Sequence, residues 1–278
     1  MPQSARSFQL VDDKLAEADF FLEKLSADRD DWFAARCYVS AYIGAMRTVT
    51  YSMQAVLSGR KDFPKWYEAR QRELRDDPVC RFFHDFRNLN QHVGDNLVSS
   101  FSSRPGERVL YWFQPTPDVK EVPSVDVESA CREYALRIVT LVYACYLEFG
   151  PEIDAHQRYT REFFERIGKS IEDAEEELGF PRGWTDIGDP DALPYRWQAL
   201  RDRVSGCAVN HVFEKYLGTT TPAPERLPKW SKPHAKGWSS LETGAQVHIP
   251  ESLRKTGTGN PDKDIESYLR SLRAEPQG

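Results

Sequence analysis

The sequence predicts a mainly α fold: a helical bundle with a small β-hairpin insertion, a C-terminal helical extension and an irregular arm. Three observations lead there. Apolar residues recur at three- and four-residue intervals through most of the first half, the period of a helix with one buried face. One segment, 97–114, alternates instead, around Pro105 and Gly106, which is a hairpin signal. From 218 onward Pro, Thr, Ser and Lys crowd together (TTTPAPERLPKWSKPHAKGWSS), and no regular element accommodates that composition.

Residues 8–26 set Leu10, Leu15, Ala18, Phe21, Leu22 and Leu25 on one helical stripe. Asp30 or Asp31 is placed to cap a second, longer helix over 32–57. Ala34, Ala41, Gly44 and Ala45 lie among its larger residues. Small side chains let a neighbouring backbone approach closely, so this helix is expected at the centre, with Gly59 ending it. A charged segment with a short helix, KDFPKWYEARQRELRDDP, leads to Pro78, where a new helix is expected to begin and run to 96. After the hairpin, Pro115, Pro117 and Pro123 close the excursion, and 127–149 form a strongly apolar helix. Gly150 and Pro151 mark the expected break. Beyond them come a long acidic helix over 152–178, read as a solvated face, and a last helical stretch over 195–217. A short terminal helix is predicted over 262–272. The chain therefore divides into 1–150, a helical domain; 151–217, a helical extension; and 218–278, a Pro-rich arm with the terminal helix.

With 40% apolar residues among 278, the chain can bury a sizeable core. A net charge of −6 excludes a generally basic protein that coats nucleic acid, but not a local basic cleft. The segment MPQSARSFQLVDDK lacks an apolar run of signal-peptide length. No stretch reaches the roughly 18 apolar residues of a membrane span, and 136–149 is too short for one. Cys37, Cys80, Cys131, Cys145 and Cys207 are odd in number and widely spaced, as expected of reduced core thiols in a cytoplasmic protein. There is no CxxC, no Cys/His cluster and no Walker-type loop; neither a metal nor a bound nucleotide cofactor is expected. Gly257 to Pro261 is glycine-rich but lacks the Lys and Ser/Thr of a phosphate loop.

The most informative segment is Arg87-Asn88-Leu89-Asn90-Gln91-His92. Metal-free RNA cleavage needs a base for the ribose 2′-hydroxyl, an acid for the leaving 5′-oxygen and a cation for the phosphorane. Histidine serves as either base or acid. Arginine keeps its proton and its planar fork fits phosphate oxygens; an Asn amide orients the imidazole or donates to phosphate. Spacing sets a condition. At the helical repeat, Asn88 and His92 share a face, whereas Arg87 and His92 are about 140° apart. A kink, a helix end or a second subunit must bring those two together, and a two-fold axis does so naturally.

RNLNQH resembles the HEPN superfamily pattern of Arg, a polar residue, three to five further residues and His, and the resemblance spans roughly 8–149. It implies a HEPN-like helical bundle and a hydrolase, a metal-independent endoribonuclease acting as a toxin or antiphage-defence effector. It also implies a composite site in a homodimer, RNA as substrate, and an antitoxin or defence-complex protein as partner. Arg87 and His92 match the catalytic pair and Asn88 the polar position after the Arg. The hairpin and everything after 150 fall outside the resemblance.

His84, Arg47 and Arg81 are the candidate substrate contacts. His84, Asn88 and His92 repeat every four residues but lack a further metal ligand at matching spacing. Tyr42 and Tyr51 either face the groove with Arg47 or lie in the core with satisfied hydroxyls, the commoner case. Cys37 and Cys145 read as core thiols. Trp230, Lys232, His234, Lys236 and Trp238 interleave aromatic and basic residues as single-strand binders do, yet suit a tail docking through its tryptophans better. The competing reading of the motif pairs Arg87 with Asp85 or another acid and makes His92 a helix-end residue beside Gly94. A rival of another class is a non-catalytic helical module whose motif groove holds a nucleotide or a partner protein, and a third is an adaptor whose helices only dimerise.

Overall fold

Three aspartates start the helices around which the molecule is built. In the computed structural model, which describes residues 7–28, 30–102 and 109–229 (side chains excepted at 99–102), Asp31 accepts the N–H groups of Phe33 and Ala34 at 2.9 Å. Asp77 accepts that of Cys80 at 3.0 Å, and Asp126 those of Glu128 and Ser129. Each satisfies amides that a first helical turn leaves unpaired. The order is α1 (Gln9–Ala27), α2 (Trp32–Leu57), α3 (Phe63–Asp76), α4 (Pro78–His92), β1 (Val98–Ser102), β2 (Leu110–Phe113) and α5 (Val127–Glu148). The fold is mainly α, as the apolar periodicity predicts.

α1 packs along α2, and α2, α4 and α5 meet around one core. The apolar face of α4 is aromatic: Phe82, Phe83 and Phe86 are all buried. Phe83 stacks on Tyr134 of α5 with centroids 4.6 Å apart and planes 8° from parallel. Phe113 of β2 meets Phe82 at 4.8 Å and Phe86 at 5.5 Å, so the antiparallel hairpin, pairing Val98 with Phe113, closes the core from outside. Tyr42 is fully buried and donates to the Cys131 carbonyl at 2.6 Å.

Several elements depart from expectation. α2 ends at Leu57 with no left-handed residue at Gly59. α4 stops at His92, short of 96, because the chain turns at Gly94, whose φ of +86° favours glycine. The long acidic helix is four short ones: α6 (Gly150–Ile153), α7 (Ala155–Arg158), α8 (Arg161–Arg166) and α9 (Ile171–Glu177). Asp154, Thr160 and Ser170 each accept backbone N–H groups just ahead of them. Such side chains restart a helix rather than continue it. At Gly150 a side chain would collide with the Gln157 amide. The stretch over 195–217 likewise divides, into α10 (Leu193–Arg201) and α11 (Asn210–Leu217). Cys37 is exposed, not a core thiol; two positions past the buried Ala35, it points away from the stripe that Ala35 and Val39 bury.

Beyond 150 the chain serves two cores. Tyr159, Phe163, Phe164, Ile171, Ala174, Trp197 and Leu200 form a second cluster, whereas α11 returns Val212 and Phe213 to the first. Lys215 and Tyr216 clamp Asp19 of α1 at 2.7 and 2.9 Å. The described part of the arm is irregular, as its composition predicts, and lies along its own unit: Tyr143 donates to the Thr220 carbonyl, and Asn210 and Gln198 accept the N–H groups of Thr221 and Leu227. The 230–238 pattern, the Gly257 loop and the helix over 262–272 lie outside the described residues. Among the described residues, no helix is long and apolar enough to cross a membrane, and no group of His, Cys, Asp and Glu is arranged to hold a metal ion.

Asp12 of α1 is buried and accepts the Tyr146 hydroxyl at 2.8 Å and the Ala208 N–H at 3.1 Å. Burial pushes its carboxyl up to about 6, against the lowering effect of those bonds and helped by Asp154 and Asp13. A carboxyl raised on folding binds its proton more tightly in the native state, so its contribution falls as pH rises from about 4 to about 6 and is constant above. The shift corresponds to about 3 kcal/mol. Urea unfolding of the full chain at pH 4.5 and 7 should show this fall in the wild type. In Asp12→Asn the fall should shrink by about 2 kcal/mol, the part of the shift expressed between those two pH values; an unchanged pH dependence would show that Asp12 does not titrate in this range.

Candidate functional site

With three phenylalanines of α4 turned inward, the opposite face presents Arg81, His84, Asp85, Asn88 and His92. Arg87 lies at the border and is half-buried. Its Nη1 donates to Oδ1 of Asn88 at 3.3 Å, and Nδ2 of Asn88 meets Nε2 of His84 at 3.1 Å. A guanidinium only donates, so the amide oxygen must face Arg87 and the amide nitrogen His84. Nε2 of His84 is therefore the acceptor, and the neutral ring carries its proton on Nδ1. Arg87, Asn88 and His84 form one relay along the surface of α4. Arg87 pairs with no carboxylate among the described residues. It lines a groove of about 300 Å³ with Gln91, Thr48, Lys14 and Glu17, but Glu17 is held by Lys14.

On the other side of this relay α2, α3, α4 and α5 enclose a second groove, of about 490 Å³. Arg47, Arg75, Arg81 and His84 line it over a floor that includes Tyr67 and Tyr134, both buried. The corner between α3 and α4 places the cations. Pro78 starts α4, Asp77 caps it and is anchored to Arg137 of α5 at 3.0 Å. Arg81, one turn on, donates back to the carbonyls of Arg75 and Asp76 at the end of α3, where a helix has unpaired acceptors. Arg47 lies over the Tyr51 ring at 4.5 Å and donates to Thr50 at 3.4 Å, while its buried Nε has no partner. Burial pushes the Cys80 thiol in the same groove up to about 12, with Asp77 adding to the effect, so it offers no thiolate for nucleophilic chemistry.

The structure thus gathers the three expected contact residues, Arg47, Arg81 and His84, into one groove, and adds Arg75, which the motif did not point to. The signal for Arg75 lay in the sequence as the DDP corner, where a cation six residues before Arg81 ends a helix that Pro78 restarts. Tyr42 is core, the commoner of its two readings, with its hydroxyl on the Cys131 carbonyl. Two expectations are corrected. Tyr51 is not core but 46% exposed, beneath Arg47. Asn88 holds His84 rather than His92, because the latter sits in the last turn of α4 and is exposed. Within one chain Arg87 and His92 do not converge. α4 runs unbroken between them, and an unbroken helix keeps that spacing on separate faces.

A family model described as bacteriophage lambda protein ea47 matches residues 6–162, more than half of the chain and the whole of α1 to α7, α4 included. No curated protein and no solved structure matches.

The relay makes a spectroscopic prediction. At a pH where His84 is neutral, the ¹⁵N shifts of its ring should mark Nδ1 as the protonated nitrogen and Nε2 as the bare one. Asn88→Ala should return the ring to the tautomer usual in free histidine, with Nε2 protonated. Identical ring shifts in the two proteins would mean that the amide does not orient His84.

Proposed function

The chain belongs to the family of bacteriophage lambda protein ea47, and we propose that it is a metal-independent endoribonuclease assembled as a homodimer. The observation that carries the reading is the state of Arg87: a half-buried guanidinium whose hydrogen bond goes to an amide, with no carboxylate to neutralise it among the described residues. The bland reading, a surface ion pair, requires an acid partner for it, and neither Asp85 nor Glu17 takes that place.

In the proposed reaction Arg87 stabilises charge on the phosphorane. One His92 removes the proton of a ribose 2′-hydroxyl, whose oxygen attacks the adjacent phosphorus. The His92 of the second copy gives a proton to the departing 5′-oxygen. The P–O5′ bond breaks, leaving a 2′,3′-cyclic phosphate on one fragment and a 5′-hydroxyl on the other, with no net change in protons. Asn88 holds Arg87 in place while joining it to His84. Two copies are needed because His92 ends α4 on a different face from Arg87. An activity of this kind suits a toxin–antitoxin or antiphage-defence setting, with an antitoxin or complex partner holding it in check.

The same separation of Arg87 and His92 favours, as a second reading, a non-catalytic helical module that binds a nucleotide or a protein. Incubation of the full chain with single-stranded RNA in EDTA separates the two. The wild type should cleave, leaving cyclic phosphate ends. Arg87→Ala and His92→Ala should each lose about 10²–10⁴-fold of the rate with unchanged circular dichroism. Wild type mixed with excess His92→Ala, so that the two share dimers, should lose more activity than dilution explains, because each mixed dimer keeps only one His92. Cleavage that survives both substitutions would sink the proposal.

A further inference from the structure

The cationic groove between α2, α3 and α4 holds more positive charge than the protein supplies partners for. Arg47, Arg75 and Arg81 all line it, and none forms an ion pair among the described residues. The nearest donations are to neutral groups: Thr50 for Arg47, Gln71 for Arg75 at 3.4 Å, and backbone carbonyls for Arg81. Asp85 is the one carboxylate on the lining. In a chain whose net charge is −6, acidic residues are plentiful, yet these three guanidiniums share a groove with only one of them. Elsewhere the same chain pairs its arginines readily, as Arg137 with Asp77 and Arg158 with Glu177 show.

Arg47 adds an independent sign. Its Nε is buried and makes no hydrogen bond, and a buried donor without a partner is costly unless something supplies the acceptor. Its ring contact with Tyr51 and its bond to Thr50 restrain the guanidinium beside the groove. Arg81 is braced on the end of α3. Two of the three cations are therefore held in position by the fold, and little side-chain freedom remains to be lost when an anion arrives.

We propose that this groove binds a phosphomonoester: the terminal phosphate of a nucleotide or of a nucleic-acid strand. A monoester carries about −1.5 to −2 at pH 7 and three acceptor oxygens. Three guanidiniums less one carboxylate leave an excess of about two positive charges, which matches a monoester better than the single charge of an internal phosphodiester. The cavity of about 490 Å³ admits a phosphate with its attached sugar. His84 is the residue common to this groove and to the Arg87–Asn88 relay, so the bound phosphate would lie on the far side of that relay from Arg87. The site is distinct from the cleavage chemistry proposed above and stands whether or not Arg87 and His92 cut RNA.

The test is a set of calorimetric titrations of the full chain in EDTA. The ligands are inorganic phosphate, a nucleoside 5′-monophosphate, the same nucleoside, and a short DNA strand with either a 5′-phosphate or a 5′-hydroxyl end. DNA lacks the 2′-hydroxyl, so the proposed cleavage cannot consume it. The expected result is that the phosphorylated ligands bind and that removing the terminal phosphate weakens binding roughly tenfold or more. Arg47→Gln and Arg75→Gln should each weaken it by a similar factor, whereas His92→Ala should leave it unchanged even if that variant cannot cleave RNA. Binding of the mononucleotide alone assigns the groove to a free nucleotide, and binding of both assigns it to strand ends. Arg75 is exposed, so Arg75→Gln is expected to fold even if Arg47→Gln does not. Equal affinity for phosphorylated and hydroxyl ends, no binding of any phosphorylated ligand, or full affinity in a folded Arg75→Gln would each overturn the proposal.

Discussion

The rotation of α4 about its own axis decides almost everything of functional interest, and an aromatic contact sets that rotation. Phe82, Phe83 and Phe86 occupy one side of the helix and bury against Tyr134 and Phe113. Each such side chain contributes roughly 1.5–3 kcal/mol by leaving water, and the stacked Phe83–Tyr134 pair adds geometric preference. A turn of α4 by one residue would expose at least one ring and bury a charged or amide side chain in its place. The polar face is therefore held outward by what the opposite face buries.

From that constraint the charge layout follows. Arg81 and His84 turn toward α3 and α2, while Arg87 sits on the side of α1. Asn88 stands between Arg87 and His84 and joins them through its amide. The α3–α4 corner strengthens the arrangement, since Asp77 ties the start of α4 to α5 while Arg81 closes the end of α3. Two grooves result, one holding Arg87 and the other Arg47, Arg75, Arg81 and His84. An overall acidic protein thus gathers arginines without ion-pair partners among the described residues onto the facing sides of α2, α3 and α4.

The region after 150 braces this bundle more than it extends it. α11 inserts Phe213 against Tyr143 and Tyr146, and Asp12 and Asp19 of α1 receive groups from 208, 215 and 216. These contacts join sequence positions nearly two hundred apart, so the ends of the described chain hold each other. The second cluster, around Phe164 and Trp197, has its own polar support in Glu175, which accepts from Gly183 and Thr185 and faces Arg196. The family match ends at 162, so of the buried residues of that second cluster it takes in only Tyr159.

Much of the architecture was legible in the order of residues, because its causes are local. The limits of α2, the start of α4 at Pro78 and the paired strands β1 and β2 follow from capping side chains, proline geometry and the period of apolar positions; the turn expected at Pro105 and Gly106 lies outside the described residues. Local causes also misled where several acted at once. The acidic run after 150 has helical composition, but Asp154, Thr160 and Ser170 each compete for backbone amides and cut it into pieces. Alone, the sequence determined that Arg87, Asn88 and His92 lie on one helix and that Arg87 and His92 diverge on it, since the helical repeat is a property of the backbone. Only the tertiary structure decided that Asn88 serves His84, that Arg47 and Arg75 join Arg81 in one groove, and that Arg87 pairs with no carboxylate among the described residues. Those facts depend on which helix faces fit together, and that is settled by the packing of side chains distant in sequence.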